Sequence, residues 1–388
     1  MENIQKRIGV IGGGQLGQMM ILEAKKMGFY ITVLDPTPKC PAHTLVDEHI
    51  IADFDDEKAI RLLAEKSDVI TYEFEHIDAN ILETLEFEGE KIYPTPKSLK
   101  TIQNKYTQKD LLQTRGVPIP DFCKVSSEED IFSVAKTYGL PMMLKTCTGG
   151  YDGKGNFCIH TESEILEAFT ALGSGTLPLM AERFFPFLLE ISVLAARGAD
   201  KEIQVYPVAE NIHHDNILSE TRVPANISAK TTEKAMTLAK QVMEIFEGVG
   251  MFCVEMFVDA QGEIAVNEVA PRPHNSGHYT IEACVTNQFE QHIRAISGLP
   301  LGSPKLLCAT VMRNLLGEEG SQGKVQISGA DEALSISGTF LHIYGKENSY
   351  PKRKMGHITV ISDSLSDAIH KGEQAKQAIK IYGADTIR

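Results

Sequence analysis

Two glutamates on a predicted β-hairpin are the residues of this chain best suited to chemistry. Apolar runs flank an Asp-Ala-Gln-Gly turn at 259–262, and pairing across that turn sets Glu255 roughly opposite Glu268, with Asn267 beside them. Like charges that face each other across two strands destabilise a sheet. A divalent cation removes that penalty, and Mg²⁺ binds one or two carboxylates while leaving positions for substrate phosphates. The hairpin therefore predicts a site for a metal and a nucleotide; two solvated glutamates are the simpler alternative.

A glycine-rich loop upstream of the hairpin has the composition of a phosphate-binding segment. An apolar strand ends in Lys145, and the following loop runs Gly149-Gly150-Tyr151-Asp152-Gly153-Lys154-Gly155-Asn156. A lysine places a point charge on phosphate oxygens, and glycines let backbone N–H groups approach them. We therefore predict a mobile loop over nucleotide phosphates, with a flexible hairpin and an exposed lysine as the alternative.

A short connector between two predicted strands suits a nucleoside. It runs from Glu182 through Arg183 and Phe184 to Phe185, and the next strand carries Glu190. The backbone of such a connector can bind the edge of adenine, and a carboxylate can accept hydrogen bonds from ribose hydroxyls. Either glutamate alone is more often a surface residue.

The first glycine loop, at 12–17, matches the dinucleotide fingerprint, and Asp35 stands about where a ribose-binding acid would. Alone, this pattern indicates a nicotinamide oxidoreductase. The same turn, however, serves any phosphate-bearing ligand at a helix N-terminus. Nothing downstream resembles a hydride-transfer site, so NAD binding is the weaker interpretation.

Composition excludes several classes of protein. The 388 residues include 38 basic and 52 acidic side chains, a net charge of −14, which argues against nucleic acid or an anionic membrane as a partner. The seven cysteines form no Cys-x-x-Cys pair and are odd in number, so neither a zinc site nor a disulfide framework is expected. With no apolar stretch of about 18 residues, we expect a soluble protein of the reducing cytoplasm.

The pattern of strands and helices indicates an α/β and α+β protein. We expect a Rossmann-like domain over 1–96, a second domain over 97–300 with a subdomain at about 117–180, and a mainly-β domain over 301–388 that ends in a helix. The predicted strands include 7–11, 30–35, 68–72, 309–315, 338–344 and 357–361, and the predicted helices include 18–27, 97–116 and 364–382.

The order of these features resembles the ATP-grasp enzymes, and within them the N5-carboxyaminoimidazole ribonucleotide synthase family of purine synthesis. The resemblance covers essentially the whole chain and rests on the motifs Gly-Gly-Gly-Gln-Leu-Gly-Gln-Met at 12–19, Thr-Tyr-Glu-Phe-Glu-His-Ile at 71–77, Gly-Gly-Tyr-Asp-Gly-Lys-Gly at 149–155, Asn-Glu-Val-Ala-Pro-Arg-Pro-His-Asn-Ser-Gly-His-Tyr-Thr at 267–280, Tyr-Gly-Lys at 344–346 and Arg-Lys-Met-Gly-His at 353–357. It implies an ATP-grasp fold with a Rossmann-like pre-ATP-grasp domain in front and a small mainly-β domain behind.

The resemblance also implies roles for individual residues. ATP would contact Lys105, Lys145, the lid residues Gly150, Tyr151, Asp152, Gly153, Lys154, Gly155 and Asn156, the hinge residues Glu182, Arg183, Phe184 and Phe185, and Glu190, His213, Asn267 and Glu268. The metal, Mg²⁺ with Mn²⁺ as the alternative, would bind Glu255 and Glu268. The ribonucleotide would lie among Gln15, Leu16, Glu73, Asn275, Lys346, Arg353 and Lys354, with Tyr151, Asp152, Lys346 and Arg353 as the catalytic groups.

The implied reaction transfers a phosphoryl group from ATP to bicarbonate and then carboxylates 5-aminoimidazole ribonucleotide, in a homodimer. The related enzyme that uses formate and glycinamide ribonucleotide is the nearest rival, and a nucleotide sensor without turnover is a further alternative. Two residues depart from the family pattern, which usually has glutamine in place of Asn156 and glycine in place of Asn216. Because asparagine tolerates left-handed backbone, we expect the turn at Asn216 to survive.

Overall fold

The computed structural model describes residues 6–149 and 155–386, and its N-terminal part is a parallel sheet covered by helices. The elements of this part are β1 (Arg7–Ile11), α1 (Gln15–Lys26), β2 (Tyr30–Leu34), β3 (Glu48–Ile50), α2 (Glu57–Glu65), β4 (Val69–Tyr72) and α3 (Ala79–Phe87). The strand order is β3-β2-β1-β4, with all pairs parallel. The predicted βαβ unit is confirmed, but α1 begins at Gln15 rather than at residue 18 because the glycine loop is shorter than expected.

The helix predicted over 97–116 is wrong in one respect, since two helices occupy that segment. They are α4 (Pro96–Gln103) and α5 (Lys105–Thr114), and Asn104 between them has an extended backbone. The Asn104 side chain accepts a hydrogen bond from the Thr107 N–H at 3.1 Å and so caps α5. Asparagine interrupts helices because its side chain competes for backbone N–H groups, and here it makes Lys105 the first residue of a new helix.

The next part is an antiparallel sheet of order β5-β8-β6-β7 with helices packed on it. It comprises β5 (Phe122–Val125), α6 (Glu128–Tyr138), β6 (Met142–Thr146), β7 (Asn156–Ile159), α7 (Ile165–Ala171) and β8 (Leu179–Arg183). Leu144 and Ala181 from the sheet pack with Ile131 and Ile165 from the helices in one buried cluster. Lys145 lies near the end of β6, where the chain enters the glycine-rich loop.

The largest sheet begins after the connector at 184–186. Its first elements are β9 (Phe187–Arg197), β10 (Ile203–Val205), β11 (Ala209–His214), β12 (Ile217–Val223), α8 (Ala229–Phe246), β13 (Gly250–Asp259), β14 (Ile264–Ala270), α9 (Thr280–Ala283) and α10 (Gln288–Ser297). β13 pairs with β9 on one side and with β14 on the other. Val254 and Met256 of β13 lie in the same core as Leu238 and Val242 of α8, and this packing fixes the hairpin.

The C-terminal part extends the same sheet. It contains β15 (Ala309–Leu316), β16 (Ser321–Ser328), α11 (Ala330–Ser335), β17 (Thr339–Ile343), β18 (Asn348–Ser349), β19 (Lys354–Ser362), α12 (Leu365–Ala378) and β20 (Lys380–Thr386). β15 pairs with β12, so the sheet order runs β14-β13-β9-β11-β12-β15-β19-β17, with β10 beside β9, and β18-β16-β20 forms a separate small sheet.

The helix predicted over 364–382 is also wrong at its end, since α12 stops at Ala378 and β20 follows. Ile379 and Ile381 are buried while Lys380 and Tyr382 are exposed, an alternation that belongs to a strand. The described part of the chain therefore ends in a strand paired with β16. Every helix in the described part of the chain is too short or too polar to span a bilayer.

Candidate active site

The β13–β14 hairpin brings its two carboxylates together. Glu255 pairs with Glu268, as predicted, but the next pair is Met256 with Val266, so Asn267 is an extra, bulged residue. In a regular strand, neighbouring side chains lie on opposite faces of the sheet, whereas a bulge changes the direction of one of them. Asn267 and Glu268 accordingly reach lysines of the same site.

The two glutamates differ in their electrostatic surroundings. Burial and the charge of Glu268 raise the pKa of Glu255 to about 7. Burial opposes ionisation of Glu268 as well, but the ammonium groups of Lys105 and Lys145 outweigh it and lower its pKa. The His274 imidazole lies 3.5 Å from Glu255.

This donor set fits Mg²⁺. Among the described residues, no group of three or more His, Cys, Asp or Glu side chains is placed to hold a metal by itself. A cation with only Glu255 and Glu268 as carboxylate ligands would take its other oxygens from water and from a phosphate-bearing ligand, which is how Mg²⁺ commonly binds beside nucleotides. A cation between Glu255 and Glu268 would remove the repulsion of these two facing carboxylates.

Lysines from two elements converge on this hairpin. The Lys105 ammonium, at the start of α5, lies 3.2 Å from a Glu268 carboxylate oxygen. Lys145, on β6, lies 2.9 Å from Glu182 and 3.5 Å from the Asn267 side-chain oxygen. Cations held beside paired carboxylates are suited to a metal–phosphate ligand.

The connector between β8 and β9 presents backbone and aromatic rings rather than charges. Glu182 is buried and its carboxylate is bound by lysines, whereas the Arg183 side chain turns outward to Asp121 at 2.9 Å. Phe184 lies against Phe187 with ring centroids 6.3 Å apart. The rings of Phe185 and Phe187 stack on Phe257, which is two residues beyond Glu255 on β13, with centroid distances of 6.0 and 4.6 Å.

Glu190 and His213, on the neighbouring strands β9 and β11, lie 3.2 Å apart between side-chain oxygen and nitrogen. Burial lowers the pKa of His213, but the hydrogen bond and charge of Glu190 outweigh this effect, so its pKa is raised. The turn after His213 has left-handed backbone at Asp215 (φ 49°) and Asn216 (φ 61°), as expected for Asn216. Glu190 and His213 therefore form one polar pair at the edge of the site.

The first glycine loop binds carboxylates of its own chain. The Gly13 N–H donates to Asp35 at 2.8 Å, and the N–H groups of Gly14 and Gly17 donate to the two oxygens of Glu73 at 2.6 and 2.7 Å. These donors are the ones that would hold a pyrophosphate in a dinucleotide-binding protein. The Glu73 carboxylate occupies the place that the pyrophosphate would take, which is a physical reason to reject the NAD interpretation.

Of the predicted ribonucleotide residues, the structure brings Gln15, Lys346 and the backbone of Lys354 into contact. Lys346 donates to the Gln15 side-chain oxygen at 2.6 Å and to the Lys354 carbonyl at 2.7 Å. The Arg353 guanidinium lies 5.0 Å from the centre of the Tyr350 ring. Two further members are partly or wholly buried: Leu16 packs against the N-terminal core, and the amide of Asn275 exchanges hydrogen bonds with Asn314.

Sequence reasoning missed two charged or titratable residues that follow the hairpin, Arg272 and His274. The Arg272 guanidinium is held by Glu75 at 2.8 Å, and His274 approaches Glu255. Burial lowers the pKa of His274 well below its usual value, and the charges of Arg272 and Lys354 act in the same direction. Both residues lie in the 267–280 motif just after Glu268, and their charged or titratable side chains were the signal that could have identified them.

The predicted lid is only partly described. Gly150, Tyr151, Asp152, Gly153 and Lys154 lie outside the described residues. The carbonyl of Gly155 accepts a hydrogen bond from the Thr146 N–H at 2.8 Å. Asn156 pairs with Lys145 in the β6–β7 ladder, and its buried side-chain oxygen has no hydrogen-bond partner among the residues that the structure describes. The base of the loop is thus fixed next to Lys145.

Comparison with known proteins gives family matches along the chain. Residues 5–103 match the ribonucleotide synthetase preATP-grasp domain, residues 110–289 the ATP-grasp domain, and residues 310–371 the phosphoribosylaminoimidazole carboxylase C-terminal domain. The N5-carboxyaminoimidazole ribonucleotide synthase of Bacillus subtilis is 44% identical over 365 residues, covering 94% of this chain and 93% of that protein.

Solved structures agree with these matches. N5-carboxyaminoimidazole ribonucleotide synthetase from Thermotoga maritima superposes with a TM-score of 0.90 at 47% identity, covering 98% of this chain and 100% of that one. The synthase from Aspergillus clavatus, solved with ADP and 5-aminoimidazole ribonucleotide, has a TM-score of 0.90 at 34% identity, covering 96% and 98%. With this identity along nearly its whole length, the chain belongs to the N5-carboxyaminoimidazole ribonucleotide synthase family of ATP-grasp enzymes.

Proposed function

We propose that this chain uses ATP and bicarbonate to carboxylate 5-aminoimidazole ribonucleotide, a step of purine synthesis. The observation that carries the proposal is the facing pair Glu255 and Glu268, held beside Lys105 and Lys145 in a member of this family. The two carboxylates would bind Mg²⁺, or Mn²⁺ in its place, which when bound neutralises phosphate charge.

The proposed chemistry has two steps. A bicarbonate oxygen attacks the γ-phosphorus of ATP, the bond to ADP breaks, and carboxyphosphate forms. Carboxyphosphate then breaks down to phosphate and CO₂, the 5-amino nitrogen attacks the CO₂ carbon, and a proton leaves the nitrogen as the carbamate forms. The protein forms no covalent bond in this scheme, so its contribution is positioning and charge.

The other predicted residues would bind either ATP or the ribonucleotide. Lys105 and Lys145 would bind ATP phosphates, the connector backbone at 182–185 with Phe257 would hold adenine, and Glu190 would bind ribose. Lys346, Arg353 and Lys354 would bind the phosphate of the ribonucleotide, with Gln15, Leu16, Glu73 and Asn275 around its sugar and base. In the lid, Tyr151 would contact the ribonucleotide, and Asp152 would orient the attacking amine and accept its proton.

Release of ADP tests the proposal. ATP, bicarbonate and 5-aminoimidazole ribonucleotide are each omitted in turn, and formate with glycinamide ribonucleotide is supplied in a parallel reaction. We expect ADP and the carboxylated ribonucleotide to form together only when ATP, bicarbonate and 5-aminoimidazole ribonucleotide are all present. Faster ADP release with formate would favour the formate-dependent enzyme, and ATP binding without turnover would favour a sensor.

The proposal extends to assembly and location. On the family resemblance we propose a homodimer that works in the cytoplasm. Light scattering on the purified chain tests the first point, since a mass near twice 42.7 kDa is expected. A mass of 42.7 kDa at assay concentration would contradict it.

A further inference from the structure

Three charged side chains form a buried row behind the phosphate-binding lysines. One oxygen of Glu182 lies 2.9 Å from the Lys145 ammonium, and the other lies 2.7 Å from the Lys109 ammonium. Lys109 and Glu182 are each 2% exposed, and Lys145 is 7% exposed. The row therefore holds two cations and one anion where water has almost no access.

Lys109 cannot act as a second copy of Lys105. Both are on α5, four residues apart and so on one face of the helix. The Lys105 side chain is 16% exposed and faces Glu268 of the hairpin, whereas the Lys109 side chain is 3% exposed and faces Glu182. Lys109 thus lies behind Glu182 and contacts the site through it.

Within this row, Glu182 competes with the nucleotide phosphate for Lys145, and Lys109 weakens that competition. The Lys145 ammonium forms an ion pair with Glu182, yet in the proposed function the same ammonium must bind a phosphate of ATP. Removing one partner of a buried ion pair is costly because the other charge is left uncompensated. With Lys109 in place, Glu182 keeps a cation when Lys145 turns to the nucleotide; without Lys109, Glu182 would retain Lys145.

We propose that Lys109 is a positioning residue for ATP, which neutralises Glu182 and so releases Lys145 to bind nucleotide phosphate. This inference rests on the proposed function. It concerns the charge of Lys109, not merely its volume, and it predicts an effect on ATP binding that is separate from ribonucleotide binding and from the chemical step.

Steady-state kinetics of substituted enzymes test this role. Lys109→Met keeps the length of the side chain and removes its charge, and Lys109→Gln keeps a hydrogen-bond donor without charge. We expect each to raise KM for ATP at least about tenfold, while kcat and KM for the ribonucleotide stay within about threefold of wild type. Lys109→Arg, which keeps the charge, should remain close to wild type. Lys100→Met, in the preceding helix and paired with exposed Glu83, is the matched control and should change nothing.

A double substitution separates charge from packing. In Lys109→Met with Glu182→Gln both charges are gone, so Lys145 is free again and KM for ATP should fall back at least about threefold from the single variant. An unchanged KM in Lys109→Met and Lys109→Gln, or no recovery in the double variant, would overturn the inference. If Lys109→Met does not fold, Lys109→Gln alone and Lys109→Gln combined with Glu182→Gln decide by the same values. A wild-type enzyme without bicarbonate-dependent ADP release would instead refute the proposed function.

Discussion

Glu255 and Glu268 face each other, yet their partners make them unequal. Glu268 is paired with Lys105, whereas Glu255 has a pKa raised to about 7 by burial and by Glu268. Replacing either by glutamine removes a proposed metal ligand, so each variant should keep less than about a tenth of the wild-type rate, a barrier increase of more than about 1.4 kcal/mol. Rates above that level in both variants would contradict the metal assignment.

The same substitutions should differ in stability without metal. Glu255→Gln removes the cost of burying an ionised carboxylate and the repulsion from Glu268, so it should raise the free energy of unfolding at pH 8. The gain should shrink as pH falls through 7 toward 4.5, because folded Glu255 is then already protonated. Glu268→Gln leaves Lys105 without its carboxylate and should give no gain. Urea unfolding in the presence of a chelator checks both, and an equal effect of the two substitutions would contradict the asymmetry.

Arg353 offers a prediction on the ribonucleotide side. Its side chain lies over Tyr350, and the residue after it, Lys354, accepts a hydrogen bond from Lys346 at its backbone carbonyl. If it binds the ribonucleotide phosphate, Arg353→Ala should raise KM for the ribonucleotide at least about tenfold and leave KM for ATP nearly unchanged, as expected for a lost charge-assisted contact. Lys352→Ala is the control, because Lys352 pairs with Asp215 on the surface. An equal change in both KM values would place Arg353 elsewhere.

At the scale of elements, the break between α4 and α5 determines where Lys105 lies. Asn104 caps α5 through the Thr107 N–H, and Asn104→Ala should lower the free energy of unfolding by about 1 kcal/mol. KM for ATP should rise as well, since Lys105 begins the helix that loses its cap. Asn104→Asp keeps an acceptor and should retain most of the stability. Thermal unfolding checks this expectation, and an alanine variant as stable as wild type would show that the cap has no role.

Elements were predictable where local chemistry decides them. The short Asp-Ala-Gln-Gly turn sets the hairpin register as far as Met256 opposite Val266, which brings Glu255 close to Glu268, and the bulge at Asn267 then places the two glutamates opposite each other. The bulge at Asn267 and the end of α12 depend on pairing with distant strands, so local patterns did not reveal them. The role of Lys109 depends on a contact between α5 and β8. Its one sequence signal is the four-residue spacing from Lys105, which also fits an ordinary solvated helix face.

At the scale of the whole molecule, His292 connects the N-terminal part to the large sheet. Its fully buried imidazole accepts a hydrogen bond from the Met251 N–H at 3.1 Å and lies 2.7 Å from the Thr71 hydroxyl of β4. Burial lowers the pKa of His292 to about 3. Below pH 6.5 the unfolded chain gains a proton that the folded chain does not, so folding should weaken as pH falls from 6.5 toward 3.

His292→Asn tests this linkage, since asparagine keeps an acceptor for the Met251 N–H but does not titrate. The wild type should lose up to about 1.4 kcal/mol more of its unfolding free energy per pH unit than the variant over this range. Urea unfolding from pH 8 to pH 4 measures both slopes in the same background, so other buried histidines contribute equally. Parallel slopes would show that His292 is not neutral in the folded protein.

In the proposed reaction of the whole enzyme, a bicarbonate oxygen attacks ATP before the ribonucleotide reacts. Bicarbonate labelled with oxygen-18 tests it directly, because the attacking oxygen stays on phosphorus when carboxyphosphate breaks down. We predict that each inorganic phosphate released in the complete reaction carries a single labelled oxygen from bicarbonate, as measured by mass spectrometry. Unlabelled phosphate, formed together with the carboxylated ribonucleotide, would contradict the account.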